Sequence, residues 1–193
     1  VPKTHVDHMH PDAIIAIAAA ADSRKLTEEI FGQDIGWLPW KRPGYELGLW
    51  LETFCRENPN ARGVVLESHG LFTWANDART CYETTIEIIN KAIEWFEGKT
   101  AGKDAFGGLK LRALPPAERR QVAAQLMPAI RGMVSGKQHM VGHFDDGDAV
   151  LEFVCSNDME ALAALGTSCP DHFLRTKIRP LVVDFDPQNP DVQ

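Results

Sequence analysis

The chain has 193 residues, 44% of them hydrophobic, with 27 acidic side chains against 20 basic ones and a net charge of −7. That apolar content suffices for a real core, and the charge has the wrong sign for a nucleic-acid partner. The longest apolar stretch, Ala13–Ala21, is far too short to span a bilayer.

Lys3–Met9 reads as a strand that ends in histidines. Pro11 suits the first turn of a helix, and Asp12–Asp22, rich in alanine and isoleucine, reads as a buried helix. Ser23–Phe31 reads as a more polar helix stopped by Gly32. Ile35–Gly44 is a strand or extended loop broken by Pro39 and Pro43. In Tyr45–Arg56 the residues Leu47, Trp50, Leu51 and Phe54 form a helical stripe. Arg62–Glu67 holds the β-branched run of a buried strand, and Gly70–Trp74 follows as a second strand after a tight turn. Asp77 is placed to cap a long helix, Ala78–Gly98, whose apolar residues keep a 3-4 spacing. Thr100–Leu114 is a glycine-rich loop. Pro115-Pro116 opens a helix that runs to Gly136, with a kink expected at Pro128.

Gln138–Phe144 and Ala149–Cys155 read as two strands joined by the turn Asp145–Asp148, Asp158–Leu165 as a short helix, and Arg179–Phe185 as a last strand. This mixture of elements predicts a three-layer α/β/α domain with a mixed, largely antiparallel sheet. The four cysteines, Cys55, Cys81, Cys155 and Cys169, are widely spaced and form no CxxC motif. They read as reduced thiols of a cytoplasmic protein. No charged-then-apolar leader opens the chain. Instead Val1 opens it next to its richest motif, and Asp184–Gln193 is linker-like, with two prolines. Together these ends read as a piece of a longer polypeptide, truncated at its N-terminus.

Chemistry concentrates in His5-Val-Asp-His8-Met-His10. In a strand His8 and His10 share one face, about 6–7 Å apart at the backbone, and two imidazoles so placed can converge on a divalent cation. His69, before Gly70, is the best-placed third ligand, on a turn that aims its ring back at the sheet edge. The helix start after His10 would favour an oxyanion near the metal. Taken alone, each histidine group also reads as surface or turn residues. Lys41-Arg42 could hold a phosphate or be a solvated basic pair. Cys169 with His172 offers a weak thiol–imidazole reading. His139 and His143 would share a strand face as structural or solvated residues. Asp145–Asp148 lacks the spacing of a calcium loop.

The segments Val6-Asp-His-Met-His-Pro-Asp-Ala13, Gly36-Trp-Leu-Pro-Trp-Lys-Arg-Pro-Gly44, Glu67-Ser-His-Gly-Leu-Phe-Thr-Trp74 and Gly166–Pro180 together resemble the class II aldolase/adducin family. They are most similar to its bifunctional rhamnulose-1-phosphate aldolase/alcohol dehydrogenase branch. The resemblance implies a class II aldolase-like fold, with residues 1–186 as the C-terminal portion of that domain and residues 187–193 as a linker towards a dehydrogenase domain. It implies zinc on His8, His10 and His69, and NAD only in the dehydrogenase. It further implies a small phosphorylated sugar as substrate, no membrane partner, and a homo-oligomer, a tetramer in family members. The reaction implied is retro-aldol cleavage of rhamnulose 1-phosphate. The family's acid/base glutamate lies upstream of the HxH pair, so no catalytic acid/base residue carries over, and this piece alone is expected to be inactive. An epimerase or decarboxylase of the same fold, and a non-catalytic adducin-like module, are the alternatives.

Overall fold

The computed structural model describes residues 1–183, which divide into two compact units. The first comprises Val1–Gly102 with Thr167–Ile178. The second comprises Lys103–Gly166 with residues 179–183. No helix among the described residues is long and apolar enough to cross a membrane.

The first unit is built on four strands: β1 (His5–Met9), β2 (Ile35–Leu38), β3 (Gly63–Leu66) and β4 (Gly70–Ala75). Their order is β1-β4-β3-β2. The β1–β4 and β4–β3 pairs are antiparallel and the β3–β2 pair is parallel, so the sheet is mixed and mainly antiparallel, as the sequence predicts. Side chains alternate between its two faces. On one face Ile35, Val65 and Leu71 pack against helices α1 (Asp12–Ala18), α2 (Ser23–Phe31) and α4 (Ala78–Thr100). On the other, Val64, Leu66 and Trp74 pack against Leu47, Leu51 and Cys55 of α3 (Tyr45–Glu57). Helix, sheet and helix thus form three layers. Ile14, Ile17, Ile35, Val64, Val65, Leu66, Leu71 and Ile88 are each no more than 1% exposed. Burial of each contributes about 1.5–3 kcal/mol before chain entropy is counted.

Two polar ties fix the sheet against the α1/α2/α4 layer. The Arg62 guanidinium bridges Glu87 of α4 at 2.7 Å and Asp34, just before β2, at 3.0 Å. Both partners raise its pKa, and Arg62 in turn holds the Glu87 carboxyl below its ordinary value. Beneath α4, the Thr85 hydroxyl donates to Asp7 of β1 at 2.9 Å and lies 2.5 Å from the Thr73 hydroxyl of β4. Beside it Cys81 is buried, and burial first, then the Asp7 carboxylate, push its thiol pKa up.

Two helix boundaries of this unit differ from the sequence reading. Helix α1 ends at Ala18 and not at Asp22, because the Ala18 carbonyl accepts the Ser68 N–H at 2.8 Å, across the domain. The segment Pro170–Arg175, to which the sequence reading assigned no element, is a short helix, α8, with Pro170 at its first position.

In the second unit, a single 3-10 turn at Ala105–Gly107 lies within the expected loop. Helix α5 (Pro116–Val134) runs through Pro128 without ending there. The hairpin expected over Gln138–Cys155 is absent: residues 138–147 form no ladder, and Asp148–Val154 is helix α6. A short apolar run fits either period, and the local chemistry favours a helix. Asp145 Oδ1 accepts the Gly147 N–H at 2.9 Å in a turn, and Asp148 places a carboxylate in the first helical turn. Val150, Leu151 and Val154 then line a cleft with Leu126, Met127 and Ile130 of α5, beside the Arg119–Asp146 ion pair at 3.0 Å. His139 and His143 are therefore exposed outside any strand. Helix α7 (Met159–Leu165) occurs as expected. Residues 179–183 of the expected last strand form no strand, whereas Asp184, Phe185 and the linker at 187–193 lie outside the described residues.

The long helix gives a pH-dependent test. Asp77 caps α4 by accepting the Thr80 N–H at 2.9 Å, and this bond holds its carboxyl below the ordinary aspartate value. A lowered folded-state pKa contributes stability that is present above the unfolded value and lost as pH falls through the folded one. Asp77→Ala should therefore lower the thermal midpoint at about pH 7, with the gap to wild type closing below about pH 4, as followed by circular dichroism.

Candidate metal centre

The antiparallel register of β1 on β4 assembles the site. His8 pairs with Phe72 and Met9 with Leu71, so the same ladder leads from His10 towards Gly70. His8 and His10 lie on the face shared with Phe72 and α3. His5 and Asp7 lie on the opposite face, where Asp7 meets Thr85. Strand β1 is at the sheet edge, and His8 is exposed while His10 is half-buried.

The third histidine comes from the turn Glu67-Ser68-His69 between β3 and β4. Ser68 adopts a left-handed backbone with φ of 49°. Its N–H is tied to Ala18, and the His69 N–H donates to the Leu66 carbonyl at 3.1 Å. The turn is also held from the β2 side: the Glu67 N–H donates to the Leu38 carbonyl at 2.9 Å, and its carboxylate accepts the Trp40 N–H at 2.8 Å. These bonds place the His69 ring inside the fold, only 5% exposed.

The three rings converge. Their centroids are 4.7 Å apart for His8–His10, 5.0 Å for His8–His69 and 5.2 Å for His10–His69. One nitrogen from each lies within 4.8 Å of the other two, the only such group of potential metal ligands among the described residues. Three nitrogens around a tetrahedral ion at 2.0–2.1 Å stand about 3.4 Å apart, so small side-chain rotations separate the observed arrangement from a closed one.

Two further observations fit a metal. The His8 Nδ1 lies 2.9 Å from the Leu71 carbonyl oxygen, which can only accept. Nδ1 therefore carries the proton, and in the neutral ring Nε2 presents its lone pair. Second, a Cβ on Gly70 would stand 2.7 Å from the Met9 carbonyl and would overlap the His10 ring. Glycine here gives the imidazole the space it occupies.

The other sequence candidates play no visible part in this group. Lys41, weighed as a phosphate ligand, pairs with Glu46 at 2.6 Å and lies over the Trp50 ring. Cys169 is buried, whereas His172 is exposed on α8. The expected anion site at the start of α1 is disfavoured, because the helix has only seven residues and its first turn already carries the carboxylate of Asp12. Sequence reasoning missed Phe72, whose ring stacks on His8. Only the pairing of β1 with β4 sets the two rings side by side, and no local sequence pattern marks it.

Residues 3–95 match the class II aldolase and adducin N-terminal domain, and residues 121–193 match the second domain of class II aldolases. The chain belongs to the class II aldolase/adducin family, whose aldolases are generally metal-dependent lyases. It is 42% identical over 192 residues to the uncharacterized oxidoreductase YuxG of Bacillus subtilis (strain 168), which it matches along 100% of its own length but only 28% of that protein's. Among solved structures, it is similar to the N-terminal class II aldolase domain of a conserved protein from Thermoplasma acidophilum. There the identity is 27% and the TM-score 0.46, over 50% of this chain and 44% of that one. An aldolase II superfamily protein from Pseudomonas syringae aligns at 15% identity and a TM-score of 0.38, over 69% of this chain and 56% of that one.

Gly70→Ala should bind divalent metal at least about tenfold more weakly, because the added methyl must displace the His10 ring or the β1 backbone at Met9. Isothermal titration with zinc measures this, and unchanged affinity would mean that the close approach is unimportant.

Proposed function

We propose that the chain carries the metal centre of a zinc-dependent aldolase that cleaves rhamnulose 1-phosphate to dihydroxyacetone phosphate and lactaldehyde. In this reading it acts in the cytoplasm as part of a longer, oligomeric protein that also holds an NAD-dependent dehydrogenase. The observation that carries the reading is the convergence of His8, His10 and His69 on one point. A set of three neutral imidazoles suits zinc better than magnesium or calcium, which prefer oxygen ligands. Family membership supports lyase chemistry, and the relative named as an oxidoreductase, far longer than this chain, supports a dehydrogenase elsewhere in the protein. The particular sugar rests on the sequence resemblance.

Bound zinc would supply Lewis-acid polarisation of the substrate carbonyl. The protein's part is to hold the donor set. His69 and the Nε2 atom of His10 are shielded from solvent, while exposed His8 leaves its side of the site open to a small sugar. The Leu71 carbonyl keeps the His8 proton on Nδ1, away from the site. A general acid/base completes the reaction, and we assign it to no residue described here.

The test uses the full-length protein. About one zinc per chain should be found by metal analysis, and His8→Ala, His10→Ala and His69→Ala should each lose it. Wild type should cleave rhamnulose 1-phosphate, and each variant should lose at least about a hundredfold in kcat/KM. Turnover of pentulose phosphates instead would assign an epimerase. A folded protein without metal uptake or turnover would be the non-catalytic module.

A further inference from the structure

His8 is the exposed member of the three-histidine group, and it stands on an edge strand. Its hydrogen bond to the Leu71 carbonyl fixes the direction of one N–H vector. A hydrogen bond at one ring nitrogen sets a direction and does not by itself define the plane of the ring. The Nε2 lone pair lies in the ring plane, so any tilt moves the direction in which His8 can bind an ion. The Phe72 ring bears on that plane directly. It lies face to face with the imidazole, with centroids 3.9 Å apart and planes within 8°.

Phe72 is itself held. Strand β4 is flanked by β1 and β3, so Phe72 has His8 as its register partner on one side and Val64 on the other. It packs at the border of the cluster formed by Val64, Leu66, Trp74 and α3. Its ring therefore relays the orientation of the core to the solvent-facing imidazole.

We propose that Phe72 is a positioning residue for the metal centre, setting the plane of the His8 ring through an aromatic stack. This rests on the metal reading above. A purely space-filling role would need only an apolar side chain of similar volume, whereas a stacking role needs a flat ring. The two roles separate under substitution. In the full-length protein, Phe72→Leu and Phe72→Met keep apolar volume without a ring, and Phe72→Tyr keeps the ring.

The experiment measures zinc affinity by chelator competition and the visible spectrum of the cobalt-substituted protein, with thermal midpoints recorded for each variant. Leu and Met at this position should weaken zinc binding about tenfold and alter the cobalt band positions, with the fold retained. Tyr should stay within about twofold of wild type and keep its spectrum. Wild-type affinity and spectrum in folded Phe72→Leu or Phe72→Met would overturn the proposal while leaving the metal centre standing. So would a loss in Phe72→Tyr as large as in Phe72→Leu. Absence of metal uptake by wild type itself would instead remove the metal reading, and this inference with it.

Discussion

The antiparallel ladder between β1 and β4 is the constraint on which the site depends. It sets His8 beside Phe72, brings His10 over Gly70 and turns Asp7 to the opposite face, towards Thr85. A slip of one residue would exchange the faces, sending both histidines under α4 and the Asp7 carboxylate towards the site. The Asp7–Thr85 bond opposes such a slip from the far side of the sheet. The polar contact beneath α4 and the imidazoles above it are thus two consequences of one register.

The two layers of helices do different work. Helices α1, α2 and α4 bury their face of the sheet and supply half of the largest fully buried side chains, the strands supplying the other half. Helix α3 covers Val64, Leu66 and Trp74 on the other face, while His8 stays exposed at the β1 edge. A metal ligand needs this asymmetry: enough packing to hold a ring still and enough opening for a substrate to reach the ion. The glycine at position 70 serves the same end by removing the one side chain that would fill the space taken by His10.

Much of this was legible in the sequence. Alternation placed His8 and His10 on one face, and the His69-Gly70 pair marked a turn, because these signals are local. The segments Ser23–Phe31, Gly63–Leu66 and Gly70–Ala75 follow directly from their apolar patterns and flanking glycines. The misread parts are those decided by distant partners or by weak patterns. Helix α1 stops at Ala18 because a residue fifty positions away uses its carbonyl. The short apolar run Ala149–Val154 fits either period, and it forms a helix that lines a cleft with α5. The tautomer of His8 and the stack on Phe72 were invisible, because both depend on pairing between strands more than sixty residues apart.

The Ala18–Ser68 bond has a consequence for how an ion would be received. Two of the histidines, at positions 10 and 69, bracket a long loop whose closure costs entropy in a free chain. Here the main chain closes that loop close to each bracket, through a carbonyl eight residues after the first and an amide one residue before the second. Gathering the chain is thus accomplished by folding and need not be drawn from coordination energy. A cation bound by these histidines would meet a socket that is already assembled, and its binding energy would remain available for holding and polarising a ligand.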